Sequence, residues 1–476
     1  MPQPPERSDL TRRSVLRRAA VAGLAAGPLG GVLAGCATAG GGSEEAERGE
    51  KSAKNPLGVP DDKQLEVVIF DGGFTDKYAT DIHEPLYKKA FPKAKIKHTG
   101  TEEIAKTLQS RFASKNPPDV VNNSGANQLN PGKLASEDAL FDLTELFDAP
   151  SVDDPKVKVR DTLIPGTIEV GEFGGKPHQL NYAYTVFGIW YSKSLFEKRG
   201  WEFPKTWGEM ISLCKEIKKS GMAPWTYQGK HPRYMNWPLL SMATKLAGDD
   251  ILVAIDNLEP GAWGHEAIVE SATRLYELKK QGFILKGTEG MDHVQAQTAW
   301  CKGDAAFVPC GSWLENEQKD VTPEGFEMAV APDPLLSADS ALPYEAIRAT
   351  AGEPFLVPAA AKNPYGGLEY LRQMLSKAGA SGFTEQVSSL TSVQGAADGL
   401  ELPPGLSTAA ETLKAAGENV FNWRYPTWYA TMENPAIDAV TGDLLTNRIT
   451  PKEWVQGCEA AAKKTREDDS IDKYKR

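Results

Sequence analysis

Cysteine is scarce in this sequence: five in 476 residues, at positions 36, 214, 301, 310 and 458. None belongs to a C-x-x-C pair and the six histidines are scattered, so the ligand spacing of a zinc site is missing and no metal is expected. A disulfide framework is not expected either. The tempting pair, Cys301 and Cys310, brackets residues 304–309, which read as a strand leading away from a helix ending near Cys301. Six strand residues cover roughly 20 Å, far beyond the Cα separation of a disulfide. Cys214 sits on an apolar helix face, the setting of a buried thiol. Positive charge is also in deficit. Lys and Arg number 53 against 64 Asp and Glu, a net charge of −11. Without the first 35 residues, which carry five arginines against Glu6 and Asp9, it would be −14. Such a chain is a poor match for nucleic acid or anionic membrane surfaces. G-x-G-x-x-G, P-loop, G-x-S-x-G and H-E-x-x-H patterns are absent, as are repeats, and no cofactor is expected.

What is present begins with an export signal. Residues 11–17 carry Arg12-Arg13 after a polar residue and before apolar positions, the twin-arginine pattern. A weakly apolar run, residues 19–34, is too short and too rich in Gly and Ala for a stable span. It ends Leu33-Ala34-Gly35-Cys36, which resembles the lipobox of bacterial lipoproteins. The resemblance implies a signal peptide over residues 1–35 and a lipidated Cys36 anchoring the chain outside the cytoplasmic membrane after export. Residues 37–60 are Gly-, Ser- and Glu-rich without periodicity and read as a disordered tether.

The folded part is organised around residues 178–207. Residues 184–191 form an uncharged aromatic and β-branched run, a buried strand. A short helical piece stops at Gly200, and Thr206 with Glu209 forms a capping box for a helix whose apolar face is Met210, Ile211, Cys214 and Ile217. An aromatic strand passing into a capped helix in mid-chain reads as a crossing between two α/β lobes, or as a core strand of one large domain. Earlier, residues 65–71 read as a strand and Asp76 as a cap for a helix burying Ile82, Leu86, Ala90 and Phe91. Residues 95–98 are a short strand, Thr101 caps a helix with Ile104, Leu108 and Phe112 on one face, and a third strand ends in the polar loop Asn122-Asn123-Ser124-Gly125. Alternating strands and helices at this spacing argue for an open, mostly parallel sheet, with ligands beyond the carboxyl ends of its strands. That rim holds residues 71–75 and 122–127.

Five motifs then follow in order: Pro118-Asp119-Val120, residues 188–193 (GIWYSK), Pro204-Lys205-Thr206-Trp207, Asn236-Trp237-Pro238-Leu239 and Gly311-Ser312-Trp313. In this order, behind a lipobox, they resemble the extracellular solute-binding proteins of sugar ABC transporters, from about residue 61 to the end. Across its length the chain is most similar to the N-acetylglucosamine/chitobiose-binding lipoproteins of that family. The resemblance implies an α/β fold of two lobes, each an open mostly parallel sheet flanked by helices, joined by three crossing segments. Mapped here, the crossings fall near residues 184–190, 348–356 and 400–405. Lobe 1 is then residues 61–184 plus 350–400, and lobe 2 residues 185–349 plus 401–476. The implied partners are an amino-sugar mono- or oligosaccharide, the membrane permease subunits of the importer and, through the lipid, the membrane itself; a monomer is expected.

Sugar chemistry suits such a cleft independently. Flat rings bury the apolar faces of a pyranose, while Asn, Asp, Gln, Arg and backbone groups bond its hydroxyls. Each ring contributes about 1 kcal/mol for ~40 Å² covered, so two or three are needed. The resemblance places Tyr234, Trp313 and Trp428 as stacking aromatics, and Asn123 and Asn127 in the first-lobe loop that bonds hydroxyls. Further candidates are Asp71, Gly72, Phe74, Ser124, Tyr182, Tyr227 and Trp423. Arg348 is equally suited to sugar hydroxyls or to a structural ion pair. Trp190, Trp207, Trp237 and Trp454 read as core. The rival reading is an exported glycan-active hydrolase, which needs two carboxylates across a cleft; Asp71 and Glu315 are conceivable partners.

Overall fold

The computed structural model describes residues 47–125 and 127–476. The signal segment and Cys36 lie outside the described residues. The described residues form one compact unit.

The first strands, β1 (Leu65–Phe70), β2 (Ile96–Thr101) and β3 (Val120–Asn122), pair in parallel with β1 in the middle. Period-2 alternation sends Leu65, Val67 and Ile69 into one core and Val68 into another on the opposite face, with Ile104, Leu108 and Val121. A small hairpin follows, β4 (Glu172–Phe173) with β5 (Lys176–Pro177). Then comes β6 (Leu180–Ser192), thirteen residues buried on nearly every position. β7 (Ala223–Trp225), β8 (Ala305–Gly311) and β9 (Met328–Ala331) belong to the second half, β10 (Ile347–Leu356) returns to the first, and β11 (Leu390–Thr391) and β12 (Val420–Phe421) are two-residue strands.

The path of the sheet is β2-β1-β3-β10-β6-β8-β7. Two strands run through both halves. β6 pairs antiparallel with β10 over residues 180–186 and with β8 and β9 over residues 187–192. β10 pairs with β12 at Ile347 and Arg348, then with β6 and β3. The sheet is therefore mixed rather than mostly parallel: β6 leaves the first half and β10 returns to it, so the two must run opposite ways.

Three local expectations are corrected. The tether does not extend to Pro60. From Glu47 onward the chain packs on the first half, where Leu57 and Val59 are fully buried, Gly49 N donates to Gly58 O, and the Arg48 guanidinium lies 4.2 Å from the Tyr365 ring centre. Secondly, the helix after β1 buries Tyr78, Ala79, His83 and Tyr87 instead of Ile82, Leu86 and Ala90. It opens with a π-helical turn, Ala79–His83, whose wider winding shifts the buried face. Thirdly, Asp76 caps no helix; its carboxylate meets His98 Nε2 at 3.1 Å, and the helix Ile104–Ala113 starts from Glu103 without a side-chain cap. Other signals hold. Thr206 and Glu209 form the capping box of Trp207–Lys219, and Gly200 ends the preceding helix with φ 68°. The four cysteines of the described residues are free and buried.

Candidate functional site

On the second half, the Gly311-Ser312-Trp313 segment ends β8. A Cβ on Gly311 would lie 2.2 Å from the Trp313 ring, so glycine is what lets that ring fold back over the strand end. Ser312 Oγ accepts from Val186 N at 3.3 Å, tying the turn to β6 at the point where it changes partners. Tyr234 stands on the short turn Pro232–Met235, with Pro232 at its first position where no N–H is needed. The turn is pinned by Arg233, whose backbone N–H and guanidinium both bond Asp438. Trp237, in the first turn of Asn236–Ala247, lies 4.1 Å from Tyr234 between ring centres. Phe187 meets Trp237 edge-on at 4.9 Å and Trp313 at 5.6 Å. These four rings make one continuous aromatic floor.

Arg348 enters this floor from β10. Its guanidinium carbon is 3.8 Å from the Phe187 ring centre and 3.9 Å from that of Trp423, a sandwich, with Trp237 at 5.3 Å. Nε donates to Asn422 Oδ1 at 3.0 Å, but Nη1, though buried, has no hydrogen-bond partner among the described residues. Burial lowers the guanidinium pKa to about 9. Burial raises the Glu433 carboxyl from 4.5 to about 7, a rise that the charges of Arg233 and Arg348 oppose.

The opposing rim is polar. Gly72 and Gly125 flank the Phe70 ring so closely that a Cβ on either would sit 2.1 Å or 2.4 Å from it. Asn122 accepts from Phe70 N and Tyr78 Oη. Glu353, at φ 52° in the left-handed region uncommon for a non-glycine residue, has its carboxyl pKa raised by burial, with Asn122 and Ser124 opposing the rise. The rims touch: Asn316 Nδ2 donates to Gly73 O at 2.6 Å.

The structure thus gathers Tyr234, Trp313, Arg348 and Trp423, and sets several other candidates elsewhere. Tyr182 is 0% exposed in the first core, its hydroxyl donating to Met374 O. Asn123 is 0% exposed, and both ends of its amide hold Leu129. Tyr227 is buried in the second core. These three are structural because no face of them reaches the cleft. Gly72 seats Phe70, and Phe74 packs edge-on against Phe383. Asn127 is exposed and bonds Glu103, Asp71 is exposed, and Ser124 is nearly buried. Trp428 stacks on Tyr474 at 5.5 Å. Trp190, Trp207 and Trp454 are core as expected. Trp237 is not: it is only half-buried and forms part of the floor. Its signal was the Asn236-Trp237-Pro238 motif two residues after Tyr234. Glu353 and Glu433 carried no sequence signal. Glu315 is engaged elsewhere, its carboxylate accepting from Gly405 N and Leu406 N at 2.8 Å each.

Residues 71–381 match the family described as bacterial extracellular solute-binding protein, and the chain belongs to that family. It is 36% identical, over 98% of both chains, to the diacetylchitobiose binding protein NgcE of Streptomyces coelicolor. It also resembles the solved structure of apo RafE from Streptococcus pneumoniae, with a TM-score of 0.66, 19% identity, and 85% of this chain and 98% of that one covered. A chitin oligosaccharide binding protein superposes with a TM-score of 0.65 at 18% identity, covering 84% of this chain and 98% of that one. The α/β architecture is the two-lobe fold of these proteins.

Proposed function

We propose that this protein captures an N-acetylated amino sugar, as monosaccharide or short oligosaccharide such as diacetylchitobiose, in the cleft between its lobes and delivers it to the permease of an ABC importer. One observation carries the reading: Phe187, Tyr234, Trp237 and Trp313 form a continuous aromatic floor, braced by a guanidinium held between the Phe187 and Trp423 rings. A pyranose needs apolar faces below it and polar groups for its hydroxyls; the floor suits the first and the facing polar rim the second. The 36% identity to a diacetylchitobiose binding protein over nearly the whole chain supports the same ligand. Lobe 1 supplies the polar rim of Asp71, Ser124 and Glu353. The lobes exchange near Val186–Phe187 and Arg348–Ala349, where β6 and β10 change partners. The protein binds and does not hydrolyse, since Glu315, one half of the conceivable carboxylate pair, is held by two backbone donors. It acts as a monomer on the outer face of the cytoplasmic membrane, held there by a lipid on Cys36.

Calorimetry and thermal shift test this. Diacetylchitobiose is expected to bind and to raise the unfolding midpoint, because a ligand that binds only the native state stabilises it; sucrose is expected to do neither. Trp313→Ala is expected to lose about 1–3 kcal/mol of affinity with its unfolding curve nearly unchanged. Cleavage of the sugar, or a large loss of stability in the variant with affinity intact, would overturn the assignment.

A further inference from the structure

Resting on the amino-sugar reading, we propose that Tyr474 is an end wall of the cleft and limits the length of saccharide it admits. The segment after the helix Pro451–Glu467 folds back over lobe 2 and is fixed there along its backbone. Tyr474 N accepts no role in a helix; it donates to Tyr429 Oη at 2.9 Å, and that hydroxyl donates to Tyr474 O at 3.3 Å. Asn257 takes Arg476 N at 3.0 Å and gives to Arg476 O at 3.1 Å, and Lys475 Nζ reaches Asn257 O at 2.7 Å. Arg476 Nε lies 3.0 Å from Asp256 Oδ2, while the other oxygen of that carboxylate accepts from Arg424 N and Tyr425 N. The segment and the turn that carries Trp428 therefore share one anchor.

From that anchor the Tyr474 ring projects between the lobes. It lies 5.5 Å from the Trp428 ring at an interplanar angle of 34° and meets Phe173 of lobe 1 edge-on at 5.9 Å. A Cβ placed on Gly132, also of lobe 1, would lie 3.2 Å from its hydroxyl. Trp428 follows Trp423, whose ring carries Arg348, by five residues, much of it the short helix Tyr425–Trp428. Tyr425 between them is fully buried, so Trp428, half-buried, is the next aromatic ring along the chain that reaches the surface. Its face is taken by this protein's own tyrosine. A saccharide extending past the floor toward Trp428 meets Tyr474, with Phe173 and Gly132 behind it, before it meets solvent. Its two sides come from different lobes, and in this structure they are in contact.

Calorimetry on the full chain decides it, with N-acetylglucosamine, diacetylchitobiose and the acetylated chitotetraose as probes for wild type, Tyr474→Ala and Tyr474→Phe. Wild type is expected to bind the tetramer at least about tenfold more weakly than the dimer. Tyr474→Ala is expected to bring the two within about threefold of each other while dimer affinity stays within about threefold of wild type; Tyr474→Phe keeps the ring and is expected to behave as wild type. Denaturant unfolding of each variant establishes that it is folded. An unchanged ratio in a folded Tyr474→Ala overturns the wall. So does an equal loss for both sugars, which would make Tyr474 a structural pin. A wild type that binds none of the three overturns the amino-sugar reading itself, a different result from a wild type that binds dimer and tetramer alike.

Discussion

Arg348 keeps its charge at neutral pH although only 7% of it is exposed, because burial lowers its pKa no further than about 9. Two aromatic faces and the Asn422 oxygen stand in for water. Glu433 shows the opposite balance. Burial is its largest influence and raises the carboxyl from 4.5 to about 7; Arg233 and Arg348 oppose that rise and Asp438 adds to it. A carboxyl with a raised folded pKa binds its proton more tightly in the native state. Its contribution to stability is therefore complete below about pH 4.5 and is lost as pH rises toward 7. The lost part is of the order of 3–4 kcal/mol, at about 1.4 kcal/mol per pKa unit. In urea titrations across that range, the stability advantage of wild type over Glu433→Gln is expected to shrink as pH rises. An advantage that is constant, or grows with pH, would place Glu433 in an environment that favours its charge.

Helix ends show where the sequence speaks and where it is silent. The Thr206/Glu209 capping box and Gly200 were legible because each is a local code, with cap and capped groups three residues apart. The helix Pro404–Ala416 has a cap that no local code announces. Its N-terminal donors, Gly405 N and Leu406 N, are met by Glu315, ninety residues earlier in the chain. A Cβ on Gly405 would press on that carboxylate and on the Trp190 ring, each at 2.8 Å, so the glycine belongs to the same arrangement. Glu315→Ala is expected to cost about 1–2 kcal/mol of stability and to leave sugar affinity unchanged, measured by unfolding and calorimetry on one preparation. Loss of affinity with unchanged stability would return Glu315 to the site. The same locality explains the other outcomes. The alternation in β1 and the aromatic run of β6 fixed two strands from their own residues. The π-turn Ala79–His83 moved a helix face by a winding that periodicity assumes constant, and residues 47–60, polar by composition, gain order from lobe 1 through Leu57 and Val59. Around the candidate site, Trp313 closes one of the five motifs and Tyr234 stands two residues before another, but no local pattern says whether a ring meets a ligand. Tyr182 and Asn123 are buried, and burial is a property of the packed lobe rather than of neighbouring residues.

At the scale of the whole molecule, what connects the lobes is mostly two strands. β6 and β10 each pass from one set of partners to the other within a single residue step, at Val186–Phe187 and Arg348–Ala349. A ladder that changes partners on both sides at one level can bend there without breaking hydrogen bonds inside either lobe. Hinge closure of this kind is a property of periplasmic binding proteins as a class. Away from the strands, the two halves share an apolar cluster that holds Leu390 with Leu406 and Ala409 near the crossings, and at the rims they meet through Asn316 on Gly73 and Tyr474 on Phe173. One neutral hydrogen bond and one aromatic edge contribute about 1 kcal/mol each, too little to hold the rims together against the freedom of the hinge. On the proposed reading, a sugar touching the floor and the facing polar rim would add contacts that exist only when the rims meet, and a ligand shifts a conformational equilibrium by its differential affinity for the two states. Small-angle scattering is therefore expected to give a smaller radius of gyration with saturating diacetylchitobiose than without it. Asn316→Ala is expected to raise the radius of the sugar-free protein slightly or leave it unchanged, and not to lower it. A protein that binds the sugar by calorimetry and shows no compaction would have its lobes already together, and the two rim contacts would then be stronger than their chemistry allows.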